Sequence, residues 1–214
     1  MIKNRNKNLF DDKAINKFLK KICEFKLDKR NDETNVNSAK KDVTNYKYIV
    51  DNQKYDKRIW LLIGREQKGG NWACLEVGSS NNIKKEIREN IGLMISKQKR
   101  IPKDSEFHKG KELFLFKTYS DRASCKYRSM TKDYREFIFY EVNIDSYKNE
   151  DKNMEKIKEK LGHEDMNVAN YVEVSLAYYT EALYWNPAPT IRGNQEREIL
   201  EIMRALFDKK TDNP

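Results

Sequence analysis

The pattern of apolar and polar positions predicts a β-hairpin followed by a helix near the middle of the chain. Two apolar runs, RIWLLI at 58–63 and WACLEV at 72–77, flank a polar segment that contains two adjacent glycines. Short apolar runs on either side of a glycine-containing loop are typical of paired antiparallel strands. In the following segment, 83–95, isoleucines recur every four positions, which predicts a helix with one buried face.

The junction between the second run and this helix reads GSSNN. Gly78 is expected to permit a sharp turn, because glycine adopts backbone conformations that other residues avoid. Ser80, Asn81 or Asn82 can then cap the helix, since their side chains accept hydrogen bonds from its first backbone N–H groups. The sequence therefore predicts a strand, a turn at Gly78 and a capped basic helix in direct succession.

The N-terminal part of the chain divides into an apolar-periodic segment and a polar segment. Between residues 10 and 27 apolar side chains recur at helical spacing, which predicts a helix that ends near Leu27. Residues 28–45 are almost free of large apolar side chains, and this composition indicates a linker or mobile loop. We therefore divide the chain into an N-terminal helical arm with its linker, 1–45, and a main domain, 46–214.

The second half of the chain predicts two more strands and several helices. Apolar runs at 112–118 and 136–144 have the length of strands, and a basic, aromatic insertion at 120–135 separates them. Helical periodicity returns at 154–161, at 168–183 and again near the C-terminus. The predicted fold class is α+β, with a small mixed or antiparallel sheet, made of the hairpin and a third strand, flanked by helices.

The cysteines and the N-terminal residues favour a cytoplasmic protein. Cys23, Cys74 and Cys125 are far apart and form no CxxC pair, so we expect packing roles and a reducing compartment. The first residues lack the apolar core of a secretion signal. Because no apolar run approaches the roughly 20 residues that span a bilayer, we expect no membrane partner.

Positive charge is concentrated in the middle of the chain. The protein has 43 Lys and Arg against 34 Asp and Glu, a formal net charge of +9. Residues 84–135 hold 15 basic and 7 acidic residues, whereas residues 136–214 hold 10 basic and 16 acidic residues. A solvated basic surface is one interpretation. A surface that binds a polyanion is the other, because Lys and Arg displace condensed counterions from phosphates.

Two basic groups in this region are candidate nucleic-acid contacts. One lies on the predicted helix after the hairpin, and the other lies in the insertion, where Tyr127 and Tyr134 could stack on unpaired bases. A solvated loop is the alternative for the insertion. The candidate contact residues are Lys84, Lys85, Arg88, Arg122, Lys126, Arg128 and Arg135.

Residues 76–90, EVGSSNNIKKEIREN, resemble the second half of the GIY-YIG nuclease motif, in which a strand ending in Tyr-Ile-Gly-Ser runs into a basic helix. Upstream, RIW at 58–60 aligns with the Gly-Ile-Tyr strand of that family. Downstream, EVSLAYYTEALYWNP at 173–187 is similar to the family's late helix, in which a glutamate precedes an asparagine. The resemblance spans Arg58 to Pro187 and implies a GIY-YIG-like fold with 136–144 as the third strand.

The resemblance implies a metal-dependent site for phosphodiester hydrolysis. Glu173 would hold Mg²⁺ or Mn²⁺, which polarises the scissile phosphate, and Asn186 would brace the site. Arg88, or Lys85, would stabilise the developing charge in place of the family's arginine. Two of these residues have simpler alternatives: Glu173 as an exposed helix glutamate paired with a lysine, and Asn186 as a helix stop before Pro187.

Three positions depart from the pattern of the family. Trp60 and Glu76 stand where the resemblance would place tyrosines, and Glu86 stands at the arginine position. The indole of Trp60 donates a hydrogen bond but cannot act as a base. Glu76 would have to face Glu173 to serve as a second metal ligand or as a general base. The family's catalytic chemistry is therefore either altered or lost.

Three functions are compatible with these residues. The first is a divergent, metal-dependent DNA endonuclease of the restriction or defence type, with the site residues Glu173, Arg88, Glu76, Trp60 and Asn186. The second is a catalytically inactive DNA-binding or regulatory protein on the same fold. The third is a phage or host inhibitor whose basic surface binds an acidic protein. For the first two the expected partner is double-stranded DNA, and a homodimer is an additional candidate state.

Overall fold

The computed structural model describes residues 17–27, 32–66, 70–95, 127, 130–162, 166–185 and 191–208. The strands are β1 (Leu19–Lys26), β2 (Arg58–Arg65), β3 (Ala73–Ser80) and β4 (Glu136–Val142). The helices are α1 (Asp32–Asn45), α2 (Ile83–Ile95), α3 (Ile144–Glu150), α4 (Met154–Leu161), α5 (Val168–Tyr179) and α6 (Ile191–Phe207), and a 3-10 helix (Val50–Lys54) precedes β2.

The strands form one antiparallel sheet with the order β1-β4-β2-β3. Outside β3, Tyr184 runs parallel to the strand: its backbone N–H donates to Leu75 O at 2.9 Å, and the Val77 N–H donates to Tyr184 O at 3.4 Å. The predicted α+β class is confirmed, with an antiparallel sheet. The hairpin, the helix after it, the third strand and the helices after that strand are also found, although α5 is shorter than predicted.

Side chains of the central strand β2 alternate between two apolar layers. Ile59 and Leu61 are buried against the helices α3 to α6, whereas Trp60 and Leu62 are buried against α1 and α2. We call these layers the α5 side and the α1–α2 side of the sheet. Helices thus cover both faces, and successive strand residues belong to opposite sides wherever the strand is regular.

The N-terminal helix predicted between residues 10 and 27 is wrong from Leu19 onward, where the chain forms β1. β1 pairs antiparallel with β4, and the register shifts between Lys21 and Cys23. At this bulge Ile22 and Cys23 are both buried on the α1–α2 side. The extra residue gives the strand the apparent spacing of a helix, because Leu19, Ile22 and Cys23 fall at i, i+3 and i+4.

The linker predicted at 28–45 is also wrong, because α1 occupies it from Asp32 onward. Val36, Ala39 and Val43 are fully buried, and they are spaced three and four residues apart along one stripe. Helix α1 packs on β1 and α2, and this packing stabilises a helix that its polar composition does not predict. The other residues of this segment are polar, and those from Glu33 onward are mostly exposed, which made the segment resemble a linker.

Gly78 does not make the predicted turn; it lies within β3, opposite Trp60. A Cβ atom at this position would lie 2.5 Å from Trp60 Cζ2, so glycine is required here to make room for the indole. The chain turns at Asn81, and Asn82 caps α2: its Oδ1 accepts a hydrogen bond from the Lys85 N–H at 3.1 Å. Of the three predicted caps, Asn82 is the one confirmed.

Helix α5 ends earlier than predicted. The apolar pattern predicts a helix over 168–183, but α5 ends at Tyr179, and Glu181 adopts a positive φ of 50°. The chain then extends, so that the backbone of Leu183 and Tyr184 bonds to the edge of β3. The other predicted strand, at 112–118, lies outside the described residues.

Cys23 and Cys74 are buried, as their predicted packing role requires. Burial raises the pKa of each thiol to about 12, which leaves little reactive thiolate at neutral pH. Cys125 lies outside the described residues. In the part of the chain that the structure describes, no helix combines the length and the apolar composition needed to cross a membrane.

Candidate nucleic-acid interface

Glu173, the predicted metal ligand, lies on α5 in a buried ion-pair cluster. Its Oε2 accepts a hydrogen bond from Lys57 Nζ at 2.6 Å, and its Oε1 accepts one from Trp185 Nε1 at 3.2 Å. The Lys57 ammonium also donates to Glu196 Oε1 on α6 at 3.0 Å. The side chains of Lys57, Glu173 and Glu196 are 13%, 6% and 3% exposed. The lysine-paired alternative for Glu173 is therefore observed, but in the interior rather than on the surface.

The single positive charge of Lys57 compensates part of the negative charge of Glu173 and Glu196. Burial raises the pKa of Glu173, and the attraction of Lys57 opposes that rise. Burial lowers the pKa of Lys57, but Glu173 and Glu196 outweigh this effect and raise the pKa above its ordinary value. Lys57 is therefore charged at neutral pH and serves as the counterion of both carboxylates. Sequence reasoning missed Lys57 and Glu196, because nothing in their local pattern marks them as partners.

The surroundings of Glu173 do not fit the Mg²⁺ ion that the resemblance implies. Mg²⁺ requires oxygen ligands at about 2.0–2.1 Å in octahedral geometry. Both Glu173 oxygens instead accept hydrogen bonds from N–H donors, and the Lys57 ammonium, 2.6 Å from Oε2, would repel a divalent cation at this carboxylate. Among the described residues there is no group of three or more His, Cys, Asp or Glu suited to a metal ion. A metal-dependent step at Glu173 does not follow from this geometry.

Glu76 does not face Glu173, because the two side chains lie on opposite sides of the sheet. Glu76 pairs with Leu62 across the hairpin on the α1–α2 side, and it is hydrogen-bonded to Tyr127. Glu173 belongs to α5, which covers the other side. The expected pair of metal-binding carboxylates is therefore wrong. Trp60 lies on the same side as Glu76 and is 1% exposed, so it packs in the core.

Lys84, Lys85 and Arg88 lie in the first two turns of α2, where they line a groove of about 450 Å³ between α2 and α1. Lys85 and Arg88 are exposed, and Lys84 is half-buried. We call this feature the α1–α2 groove; its lining residues are Lys40, Thr44, Asn82, Lys84, Lys85, Arg88 and Glu89. Four of these carry positive charge and Glu89 carries negative charge, so the lining is strongly basic.

The second wall of the groove comes from α1, the segment that the sequence assigned to a linker. Lys40 and Thr44 lie one turn apart on this helix and both line the groove. Lys40 Nζ is 3.6 Å from the position that a Cβ would take on Gly92, so the side chain extends toward α2. The stripe of small apolar residues in α1 could have predicted a helix in this segment and, with it, the position of Lys40.

The basic insertion does not contribute to the groove through any of its described residues. Arg135 is exposed at the start of β4, and its Nη1 donates to the backbone carbonyl of Tyr134 at 3.3 Å. Tyr127 and Tyr134 are 2% and 7% exposed, so the prediction that they stack on bases is wrong. The remaining predicted site residues, Arg122, Lys126, Arg128 and Asn186, lie outside the described residues.

Among the residues that the structure describes, the lining of the α1–α2 groove presents positively charged hydrogen-bond donors and no aromatic side chain. Within the described part of the chain, the side chains of Lys40, Lys85 and Arg88 have no hydrogen-bond or ion-pair partner. An oxyanion in the groove could therefore contact several cations at once, and charge-assisted hydrogen bonds of this kind are the strong ones. Phosphate is one of the oxyanions that such donors bind.

Comparison of the chain with protein-family models, with curated proteins and with solved structures gives no match in any of the three. The GIY-YIG resemblance therefore stays a prediction, and function has to be inferred from the geometry of the groove.

Proposed function

We propose that this protein binds nucleic acid through the α1–α2 groove, with the phosphate backbone as the bound group. The observation that carries the proposal is the convergence of four cations from two helices on one groove. Because α1 and α2 pack on the same side of the sheet, these cations project from a fixed framework. Each cation that meets a phosphate releases condensed counterions, which drives binding at low salt.

We propose a double strand rather than a single strand as the bound form, with duplex DNA as the form to test. Proteins that bind single strands stack the bases on aromatic side chains, and none of the described residues that line the groove is aromatic. Tyr48, beside the groove, already carries two cations: Arg58 Cζ lies 4.3 Å and Lys84 Nζ 5.0 Å from its ring centroid. Phosphate contacts position a protein without reading sequence, so we expect little sequence preference.

Binding without cleavage is better supported than the endonuclease hypothesis. The described members of the predicted catalytic set are divided by the sheet, with Trp60, Glu76 and Arg88 on the α1–α2 side and Glu173 on the α5 side. Glu173 is also held by Lys57. A catalytically inactive DNA-binding protein is therefore the function we propose. Purification of the protein together with an acidic protein, and without nucleic acid, would identify the other candidate occupant of the groove.

Fluorescence anisotropy with a labelled DNA duplex, titrated at several salt concentrations, tests the proposal. The test variant removes the three groove cations that have no described partner: Lys40→Gln, Lys85→Gln and Arg88→Gln. A matched control makes the same change in net charge at exposed lysines of the α4 region, on the α5 side: Lys152→Gln, Lys156→Gln and Lys160→Gln.

We expect the groove variant to lose at least about tenfold in affinity and to reduce the salt slope, d log K/d log[salt], by roughly 2 to 3, because three phosphate contacts at about 0.9 each are removed. The control variant should keep most of the affinity and the slope. Equal losses in both variants would mean that net charge alone attracts the duplex. Salt-independent binding, or co-purification with an acidic protein and no nucleic acid, would refute the proposal.

A further inference from the structure

Lys84 differs from the other cations of the groove because the fold holds its ammonium group in place. Its Nζ donates to the backbone carbonyl of Thr44 at 3.1 Å, near the C-terminal end of α1, where the helix dipole concentrates negative charge. The same ammonium lies 5.0 Å from the centroid of the Tyr48 ring. Two separate contacts therefore fix Lys84, whereas the other three groove cations have none through their side chains within the described residues.

Tyr48 is itself held by a buried network. The Arg58 guanidinium lies 4.3 Å from the ring centroid and donates to Glu141 Oε1 at 2.5 Å. Glu141 is 0% exposed and also accepts hydrogen bonds from the Tyr46 hydroxyl at 2.8 Å and from the Ile49 N–H at 3.0 Å. Because Tyr46 and Ile49 flank Tyr48, the chain on both sides of the ring is tied to β4.

We propose that Tyr48 is a positioning residue of the α1–α2 groove: its ring, anchored by Arg58 and Glu141, places the Lys84 ammonium at the groove wall where a phosphate would meet it. This inference rests on the proposed function of the groove. An ammonium has three donors, so the bond to Thr44 leaves two for a phosphate. Because the long lysine side chain is already ordered, less conformational entropy is lost when it binds. Tyr48 does not line the groove and acts only through Lys84.

The first test requires no ligand. In NMR spectra of the full chain, the ring current of Tyr48 should shift the ε-methylene protons of Lys84 upfield in the wild type and in Tyr48→Phe, and the shift should vanish in Tyr48→Leu. Lys85, the next residue on the same helix, has no contact with the ring and serves as the internal control. Lys84 signals at ordinary positions in the wild type would overturn the inference.

A double-mutant cycle measures the effect on binding. Tyr48→Leu should weaken duplex binding about three- to fivefold, as expected for a partly exposed cation–π contact. In a Lys84→Met background the same change should have no further effect, and Tyr48→Phe should bind like the wild type. The salt slope of Tyr48→Leu should fall toward that of Lys84→Met, a change that loss of stability alone would not produce. Thermal unfolding checks that each variant is folded.

Additive losses from Tyr48→Leu and Lys84→Met would mean that the two residues act independently, which would overturn the inference and leave the proposed function intact. A wild-type protein that binds no duplex would defeat the proposed function instead. In that case the NMR comparison decides alone whether Tyr48 positions Lys84.

Discussion

Lys57 and Arg58 are adjacent in the chain, yet each neutralises a buried glutamate on a different side of the sheet. Arg58 pairs with Glu141 on the α1–α2 side, at 2.5 Å. Lys57 pairs with Glu173 on the α5 side at 2.6 Å and shares its ammonium with Glu196. The two pairs are similar in distance and in burial. They differ in the number of carboxylates that each cation serves.

This difference predicts which of the two ion pairs would destabilise the fold more if it were broken. Among the described residues, Arg58 has Glu141 as its one carboxylate partner, so removing that charge leaves a buried guanidinium without a counterion. Lys57 would keep Glu196 if Glu173 lost its charge. Breaking a buried pair is costly mainly because of the uncompensated charge that stays behind. The Arg58 pair should therefore be the more sensitive of the two.

The largest effect is expected from Glu141→Gln. The amide can keep some of the neutral hydrogen bonds, but Arg58, whose side chain is 11% exposed, loses its counterion. Leaving a buried charge without a partner costs about 3–5 kcal/mol. Urea unfolding followed by circular dichroism measures this loss in the free energy of unfolding.

Glu136→Gln is the matched control for that variant. Glu136 lies at the other end of β4 and pairs with Arg65 and Lys26, whose side chains are 22% and 60% exposed. Water can solvate these cations when the carboxylate is removed, so we expect a loss of at most about 1 kcal/mol. If Glu136→Gln and Glu141→Gln lower the free energy of unfolding equally, burial of the paired cation does not determine the size of the loss.

The two sides of the sheet also differ in how far the sequence predicts them. The strong periodicity of α2 predicted Lys84, Lys85 and Arg88 as exposed neighbours of a buried face. Helix α5 offered no such guide, because it is buried on every side from Ala169 to Tyr179 and its pattern does not say where Glu173 points. Periodicity reveals orientation only where one face of an element meets water.

The side of the sheet on which Glu76 lies depends on how β3 pairs with β2, and the local sequence pattern does not show this register. In β3 a register shift opposite Leu62 and Ile63 places Leu75 and Glu76 on the same side of the sheet. Regular alternation would have separated them. A single bulge in β3 and the placement of α5 therefore put Glu76 and Glu173 on opposite sides of the sheet. The predicted pair of metal-binding carboxylates does not form for this reason.

A smaller loss is expected from Glu173→Gln. The amide oxygen can still accept the hydrogen bond from Trp185, Lys57 keeps Glu196, and the raised pKa of Glu173 means that its charge is already disfavoured in the interior. We therefore expect the free energy of unfolding to fall by at most about 1 kcal/mol. Mg²⁺ should not raise the melting temperature of the wild type, because a ligand stabilises only a fold that binds it. A rise with Mg²⁺ that Glu173→Gln abolishes, together with cleavage of plasmid DNA that this variant loses, would support the endonuclease hypothesis instead.

The smallest effect is a pH dependence of the stability difference between the wild type and Glu173→Gln. Burial raises the pKa of Glu173 in the folded protein above its ordinary value of 4.5. The folded state therefore binds a proton more readily than the unfolded chain, and the wild type gains stability relative to Glu173→Gln as the pH falls through the folded-state pKa toward 4.5. Below 4.5 both states are protonated and the gain stops. Urea unfolding of both proteins at neutral and mildly acidic pH measures the change. If the stability difference does not change with pH, Lys57 stabilises the charged carboxylate in the interior as well as water does in the unfolded chain. The Lys57–Glu173 and Arg58–Glu141 pairs would then be more alike than their numbers of carboxylate partners suggest.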